Sequence, residues 1–168
     1  MHSDEIPFLS VAETARAVRE KRFSPTEVTE AYLQRIERLN PSLNAYITVT
    51  ADLARAQAKE TEKRLMAGDT NGPLFGVPVA VKDQFWTKGI RTSLASSAYK
   101  DFVPGDDATI ITRLEEAGAP LLGKLSLAAL AALEEDPPPF GECRNAWDSD
   151  RHPGGSSHGS GLALSTHL

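Results

Sequence analysis

From Val77 to Val81 the chain is apolar and rich in valine, and the run ends on a charge, Lys82. Valine's branched side chain packs well on a pleated surface, and a continuous apolar run suits a strand covered on both faces. The segment therefore predicts a buried strand, which requires other elements to pack over it. Alternation puts Ala80 and Lys82 on one face and Val79, Val81 and Asp83 on the other. Burial of any lysine favours its neutral amine, and a neutral amine can act as a general base. A strand-end lysine can equally point to solvent or pair with Asp83, and the residues alone leave these readings open.

The residues before this strand read as helical. A short helix is expected from Ser10 to Arg19, with Val11, Ala15 and Val18 on one side. Ser24-Pro25-Thr26-Glu27 is a capping box with proline at the first helical position. Val28, Ala31, Tyr32, Ile36 and Leu39 follow at helical spacing, and Asn40-Pro41 is expected to stop that helix. A third helix, rich in Ala, Lys and Glu, spans about 50–66, and the turn residues Gly68 to Pro73 end it.

After the strand, a helix is expected over 107–117, capped by Asp107, with Ile110, Ile111 and Leu114 on one face. Ala119 to Leu122 reads as a short strand and Leu125 to Leu133 as an Ala/Leu-rich helix. Glu134-Glu135-Asp136 reads as a solvated acidic turn, and Pro137-Pro138-Pro139 cannot continue a helix. Phe140 to Pro153 reads as irregular chain, and Ser157 onward as the start of another helix. Strands alternating with helices behind an all-helical opening predict an α/β fold with a helical N-terminal layer.

A second segment concentrates chemistry. Gly154 to Gly161 holds four glycines and three serines in eight residues. Glycine is used so densely where backbone must bend sharply or approach a ligand, and serine supplies hydroxyls. Pro153 before it and Leu162-Ala163-Leu164 after it argue against a flexible linker. A plain turn and a phosphate-binding nest stay open. Gly118 to Leu125 nearly matches a phosphate-binding P-loop, but Leu125 stands where Ser or Thr must hold Mg²⁺. His2, His152, His158 and His167 show no metal-ligand spacing, and each reads as a loop or surface residue; His158 is set apart by its place inside the glycine loop.

The bulk numbers exclude several classes. With 168 residues, 40% of them hydrophobic and 24% charged, the chain suits one ordinary globular domain. A net charge of -5 is not the footprint of a nucleic-acid binder. Cys143 is the lone cysteine, so no intrachain disulfide forms. The opening residues carry no signal-peptide pattern, and no segment has transmembrane length. A cytoplasmic protein without nucleic-acid or membrane partners is expected.

Taken in order, the segments resemble the amidase signature family. The resemblance is carried by Gly72 to Asp83, Phe102-Val103-Pro104, Asp107-Ala108-Thr109, Arg113-Leu114, Ala117-Gly118-Ala119 and Gly123-Lys124. It continues through Phe140-Gly141, Asn145 to Asp148 and Pro153-Gly154-Gly155-Ser156-Ser157. The helical opening, with Asn44-Ala45-Tyr46, also looks like the family's N-terminus. The resemblance implies an incomplete amidase-signature fold over 1–168, truncated at its C-terminus: a helical part over 1–70, then over 71–168 the start of an α/β core with a mixed sheet flanked by helices. The family hydrolyses or transfers carboxamides with a Ser–cis-Ser–Lys triad. By motif, Lys82 corresponds to the catalytic lysine and Ser156 to the bridging serine, with Gly154, Gly155 and Ser157 as the supporting loop. The family's nucleophilic serine falls beyond Leu168. His158 stands where glycine is usual, Ser126 and Ala129 where Asn and an acidic residue are usual, and Ala146 where Pro is usual. The implied partner is a small-molecule amide, with no cofactor and no metal; homodimerisation stays open. Two alternatives stand beside the amidase: the amidase subunit of a tRNA-dependent amidotransferase, and a non-catalytic ligand-binding or pseudoenzyme fragment.

Overall fold

The computed structural model describes residues 3–133 and 135–168; His2 and Glu134, expected at the surface, lie outside them. A 3-10 turn, Ser3–Phe8, leads into α1, Val11–Arg19. The Ser10 hydroxyl accepts the Glu13 N–H at 3.3 Å, and the Glu13 carboxylate accepts the Ser10 N–H at 2.9 Å. The same box opens α2, Pro25–Leu43, where Ser24 accepts from Glu27 at 3.1 Å and Glu27 accepts from Ser24 at 2.8 Å. Each box satisfies N–H groups that a first helical turn leaves unpaired. The buried face of α1 is Thr14, Ala15, Ala17 and Val18, whereas Val11, expected there, is exposed.

Helix α2 runs through Pro41 instead of stopping at it. Near a helix end a proline removes a single backbone donor, and the terminator is Asn44, left-handed at φ 55° and donating its N–H to the Asn40 carbonyl at 2.7 Å. The Asn40 side chain then grips the backbone of Tyr46, accepting its N–H at 2.8 Å and donating to its carbonyl at 3.1 Å. This grip starts β1, Tyr46–Val49, a strand inside the part of the chain read as wholly helical. Next come α3, Ala51–Met66; β2, Val79–Lys82; a 3-10 turn, Ser97–Tyr99; α4, Thr109–Glu116; β3, Leu121–Leu125; and α5, His158–Thr166.

The three strands form one mixed sheet in the order β1-β3-β2, with β3 antiparallel to β1 and parallel to β2. β3 is buried throughout and longer than expected. A Cβ on its Gly123 would overlap the Thr48 carbonyl oxygen, so glycine is what lets β1 lie against β3. The core between sheet, α2 and α5 contains Leu33, Ile36, Tyr46, Leu122, Leu125 and Leu162. A second cluster joins α1, α2 and α3 around Ile6, Val18, Val28, Leu65 and Phe75. A third packs Ile111 of α4 on Val81 and Leu121. Burying a Leu, Ile or Phe side chain contributes roughly 1.5–3 kcal/mol, so these clusters hold the strands that carry the site.

Two expectations fail locally. Asp107 does not cap α4: Ala108 occupies the cap position, and the Asp107 carboxylate accepts the Lys88 N–H at 2.7 Å. Leu125 to Leu133 is not a helix. Three of its N–H groups leave the local ladder for other segments: Ser126 donates to Ala45 at 2.8 Å, Ala128 to Ser156 at 3.1 Å and Leu130 to Leu94 at 2.9 Å. Leu130 and Ala131 sit at φ 52° and 63°. Tertiary hydrogen bonds here override the helix propensity of Ala and Leu.

Candidate functional site

β2 delivers Lys82 to the Gly/Ser turn. The Lys82 Nζ donates to Ser156 Oγ at 2.8 Å across 74 residues of sequence. The Gly155–Ser156 peptide bond is cis, and Gly154 is left-handed at φ 90°. The Gly154 N–H donates to His152 Nδ1 at 3.1 Å, and the Ser156 carbonyl accepts the Ala128 N–H. Ser157 stands at the N-cap of α5, where its hydroxyl forms no capping bond. Of the residues singled out in the sequence, Lys82 and Ser156 therefore meet, while Gly154, Gly155 and Ser157 shape the turn that brings Ser156 in.

Lys82 does not pair with Asp83. The strand's alternation turns Asp83 to the other face, where it is fully buried and accepts from Ser93 N–H at 2.8 Å and Ser93 Oγ at 2.6 Å. Its Oδ1 lies 3.2 Å from Lys124 Nζ of β3. Lys124 also donates to the Phe85 carbonyl at 2.8 Å and to Thr92 Oγ1 at 2.7 Å. Burial pushes the Lys124 ammonium below its ordinary range, and the Asp83 carboxylate acts in the opposite direction. This ion pair was not singled out in the sequence; the signal was present, because Lys124 interrupts the apolar strand Leu121-Leu122-Gly123 as Lys82 ends the valine run. It also disposes of the P-loop pattern, whose Gly123-Lys124 is a buried strand.

Ser156 opens onto a cavity of ≈ 880 Å³. Leu127, Ala128 and Phe140 give it apolar walls, and Ser126, His152 and His158 add polar ones. His158 is not a surface residue: its Nε2 lies 3.0 Å from Ser126 Oγ, and its Nδ1 is buried without a hydrogen-bond partner. Burial holds the His158 ring below the ordinary histidine range, helped by His152 and Lys82 and opposed by the backbone of Gly154 and Leu127. Cys143 borders the same cavity, and burial pushes its thiol up to about 11. Glu135 is not a merely solvated residue, since it accepts hydrogen bonds from Ser96 Oγ at 2.7 Å and from Ser97 N–H at 3.0 Å. Among the described residues no group of three or more His, Cys, Asp or Glu could hold a metal ion.

An amine bonded to a hydroxyl at the edge of a cavity can accept a proton through that hydroxyl. The chain is similar to several known proteins. A glutamyl-tRNA(Gln) amidotransferase subunit from Pseudomonas aeruginosa is 45% identical over 161 residues, covering 95% of this chain and 33% of that protein. Its counterpart from Methylococcus capsulatus is 42% identical over 160 residues, with 95% and 33% covered. Among solved structures, the peptide amidase of Stenotrophomonas maltophilia superposes with a TM-score of 0.86 at 34% identity, covering 95% of this chain and 34% of that one. A 6-aminohexanoate cyclic dimer hydrolase gives 0.83 at 29% identity, with 96% and 32% covered. The chain thus spans about a third of the length of the curated relatives it matches. The Amidase family matches residues 27–168, and the chain belongs to that family.

Proposed function

We propose that this chain carries the base end of an amide-hydrolysing site. In this reading the Lys82 amine draws a proton through Ser156 from an attacking serine that lies outside the sequence Met1–Leu168. The attacking oxygen bonds to the amide carbonyl carbon, its proton passes to Ser156 Oγ, and the Ser156 proton passes to Lys82 Nζ. When the C–N bond breaks, the relay runs backwards and the leaving amine takes the proton; water then releases the acid from the acyl-enzyme. The observation that carries this reading is the 2.8 Å separation of Lys82 Nζ and Ser156 Oγ, within reach of proton transfer in either direction. The substrate is a small-molecule amide. The cytoplasm is the proposed location, supported by a chain whose single cysteine has no intrachain partner.

Two assays test it. The isolated chain should release no ammonia or amine from amides, because the nucleophile is missing. An amide-hydrolysing protein that includes the chain should lose about 10²–10⁴-fold of its turnover on Lys82→Ala, the usual scale of general acid–base catalysis. Serine-dependent turnover by the isolated chain, or wild-type turnover by the variant, would contradict the reading.

A second reading is favoured by the curated relatives, which are named as amidotransferase subunits and are 40–45% identical to this chain. On that reading the same Lys82–Ser156 pair releases ammonia for a partner protein to use. Co-purification with partner subunits and a charged tRNA would select it over a free-standing amidase.

A further inference from the structure

His158 makes contacts that a Lys82–Ser156 pair does not require. The chain leaving β3 and the turn entering α5 are stitched together around it: Ala128 N–H donates to the Ser156 carbonyl at 3.1 Å, and Gly159 N–H to the Ser126 carbonyl at 3.0 Å. The approach is close enough that a Cβ on Gly159 would lie 2.5 Å from Ser126 N and 2.6 Å from Ser126 O. Across this backbone seam the side chains add the Ser126 Oγ to His158 Nε2 bond of 3.0 Å. Ser156 lies inside the stitched segment, two residues before His158.

We propose that His158 is a positioning residue: bonded to Ser126, its neutral imidazole pins the turn that bears Ser156 to the end of β3. The inference rests on the reading of Lys82 and Ser156 as a working pair. Three observations support the neutral ring. Nδ1 is buried without a hydrogen-bond partner, and the backbone of Gly154 and Leu127, which favours the protonated ring, is outweighed by burial. His152 from the preceding loop and Lys82 from β2 both disfavour a charge on the ring. Glu135, Asp136, Glu142, Asp150, Arg144 and Arg151 line the same cavity, carrying charge of both signs, and none of them is hydrogen-bonded to the ring. A protonated ring would thus be a partly buried cation, which is costly. Acidification should loosen the pin.

The experiment is amide hydrogen exchange on the chain, read at Ala128 and Gly159, with the His158 ring followed by NMR through the same pH range. In the wild type both amides should be protected at pH 7.5. As pH falls through the His158 midpoint, their exchange should accelerate about tenfold beyond the intrinsic pH effect, while β3 amides stay protected. Gln can bond Ser126 but carries no charge, so H158Q should keep the protection and lose the pH step. H158A and S126A should lose the protection at every pH. K82M should raise the His158 midpoint by removing a group that disfavours the protonated ring. Wild-type protection in H158A, or a His158 midpoint at or above 6.5 with no step in exchange, would overturn the proposal. If an alanine variant does not fold, the wild-type pH series and H158Q still decide it. Wild-type amide turnover in Lys82→Ala would sink the amidase reading yet leave these exchange rates unchanged, so the two failures are distinguishable.

Discussion

Asp83 Oδ1 lies 3.2 Å from Lys124 Nζ, with both side chains closed to solvent. The pair ties the residue just after β2 to the C-terminal end of its parallel neighbour β3, and so fixes the direction in which Lys82, one residue earlier, leaves the strand. Removing one partner strands a buried charge. Asp83→Asn or Lys124→Met should therefore cost about 3–5 kcal/mol in denaturant unfolding, by the usual scale for breaking a buried pair. A loss below about 1 kcal/mol would mean that the remaining polar partners satisfy the lone charge.

Gly159 is held by space. A Cβ there meets Ser126 N, Ser126 O and the Ala45 carbonyl oxygen at 2.5, 2.6 and 2.7 Å, all of them backbone atoms that cannot swing aside. Gly159→Ala should destabilise the fold by about 1–3 kcal/mol, the range for overpacking, although alanine is the better helix former. Gly161 sits in the same helix with open space around it, so Gly161→Ala should be neutral or stabilising in the same unfolding series.

The box at Ser24 and Glu27 sets where α2 begins. Ser24→Ala removes the acceptor for the Glu27 N–H and should cost about 1 kcal/mol, seen as a lower unfolding midpoint with unchanged denaturant slope.

Glu135 ties the acidic turn to the 3-10 turn at Ser97–Tyr99. Hydrogen bonds from Ser96 and Ser97 hold its carboxyl below the ordinary value of 4.5. A depressed carboxyl binds fewer protons folded than unfolded, so its contribution is complete above 4.5 and is lost as pH falls through the depressed value. Exchange of the Ser97 amide should accelerate in that window. Glu135→Gln should abolish the dependence, and an unchanged acid response in that variant would contradict the assignment.

The legible parts of the chain were those in which local chemistry and tertiary demand agree. Ser24-Pro25-Thr26-Glu27 announced the start of α2, and the valine run announced β2. Lys82 and Ser156 became a pair only through resemblance, since nothing in the spacing of two residues 74 apart predicts a 2.8 Å contact. The misread parts were those in which distant backbone wins. Leu125 to Leu133 has helix-forming composition, yet the N–H groups of Ser126, Ala128 and Leu130 are claimed by Ala45, Ser156 and Leu94. Tyr46 to Val49 has strand composition, but it is four residues long and sits between two helices, so the helical pattern around it hid it. Asp107 looked like a cap until the Lys88 N–H took its carboxylate. His158 and Ser126 stood out as residues unusual for the family, but their hydrogen bond to each other becomes visible only when β3 and α5 are placed side by side.

The central claim is that the amine at position 82 and the hydroxyl at position 156 act as one relay. A double-mutant cycle in amide turnover, using Lys82→Ala, Ser156→Ala and the pair in a protein that includes this chain and the attacking serine, tests it most directly. Members of one relay are strongly non-additive, so each single variant should lose about 10²–10⁴-fold and the double variant hardly more. Losses that multiply, or a single variant that turns over at the wild-type rate, would contradict it.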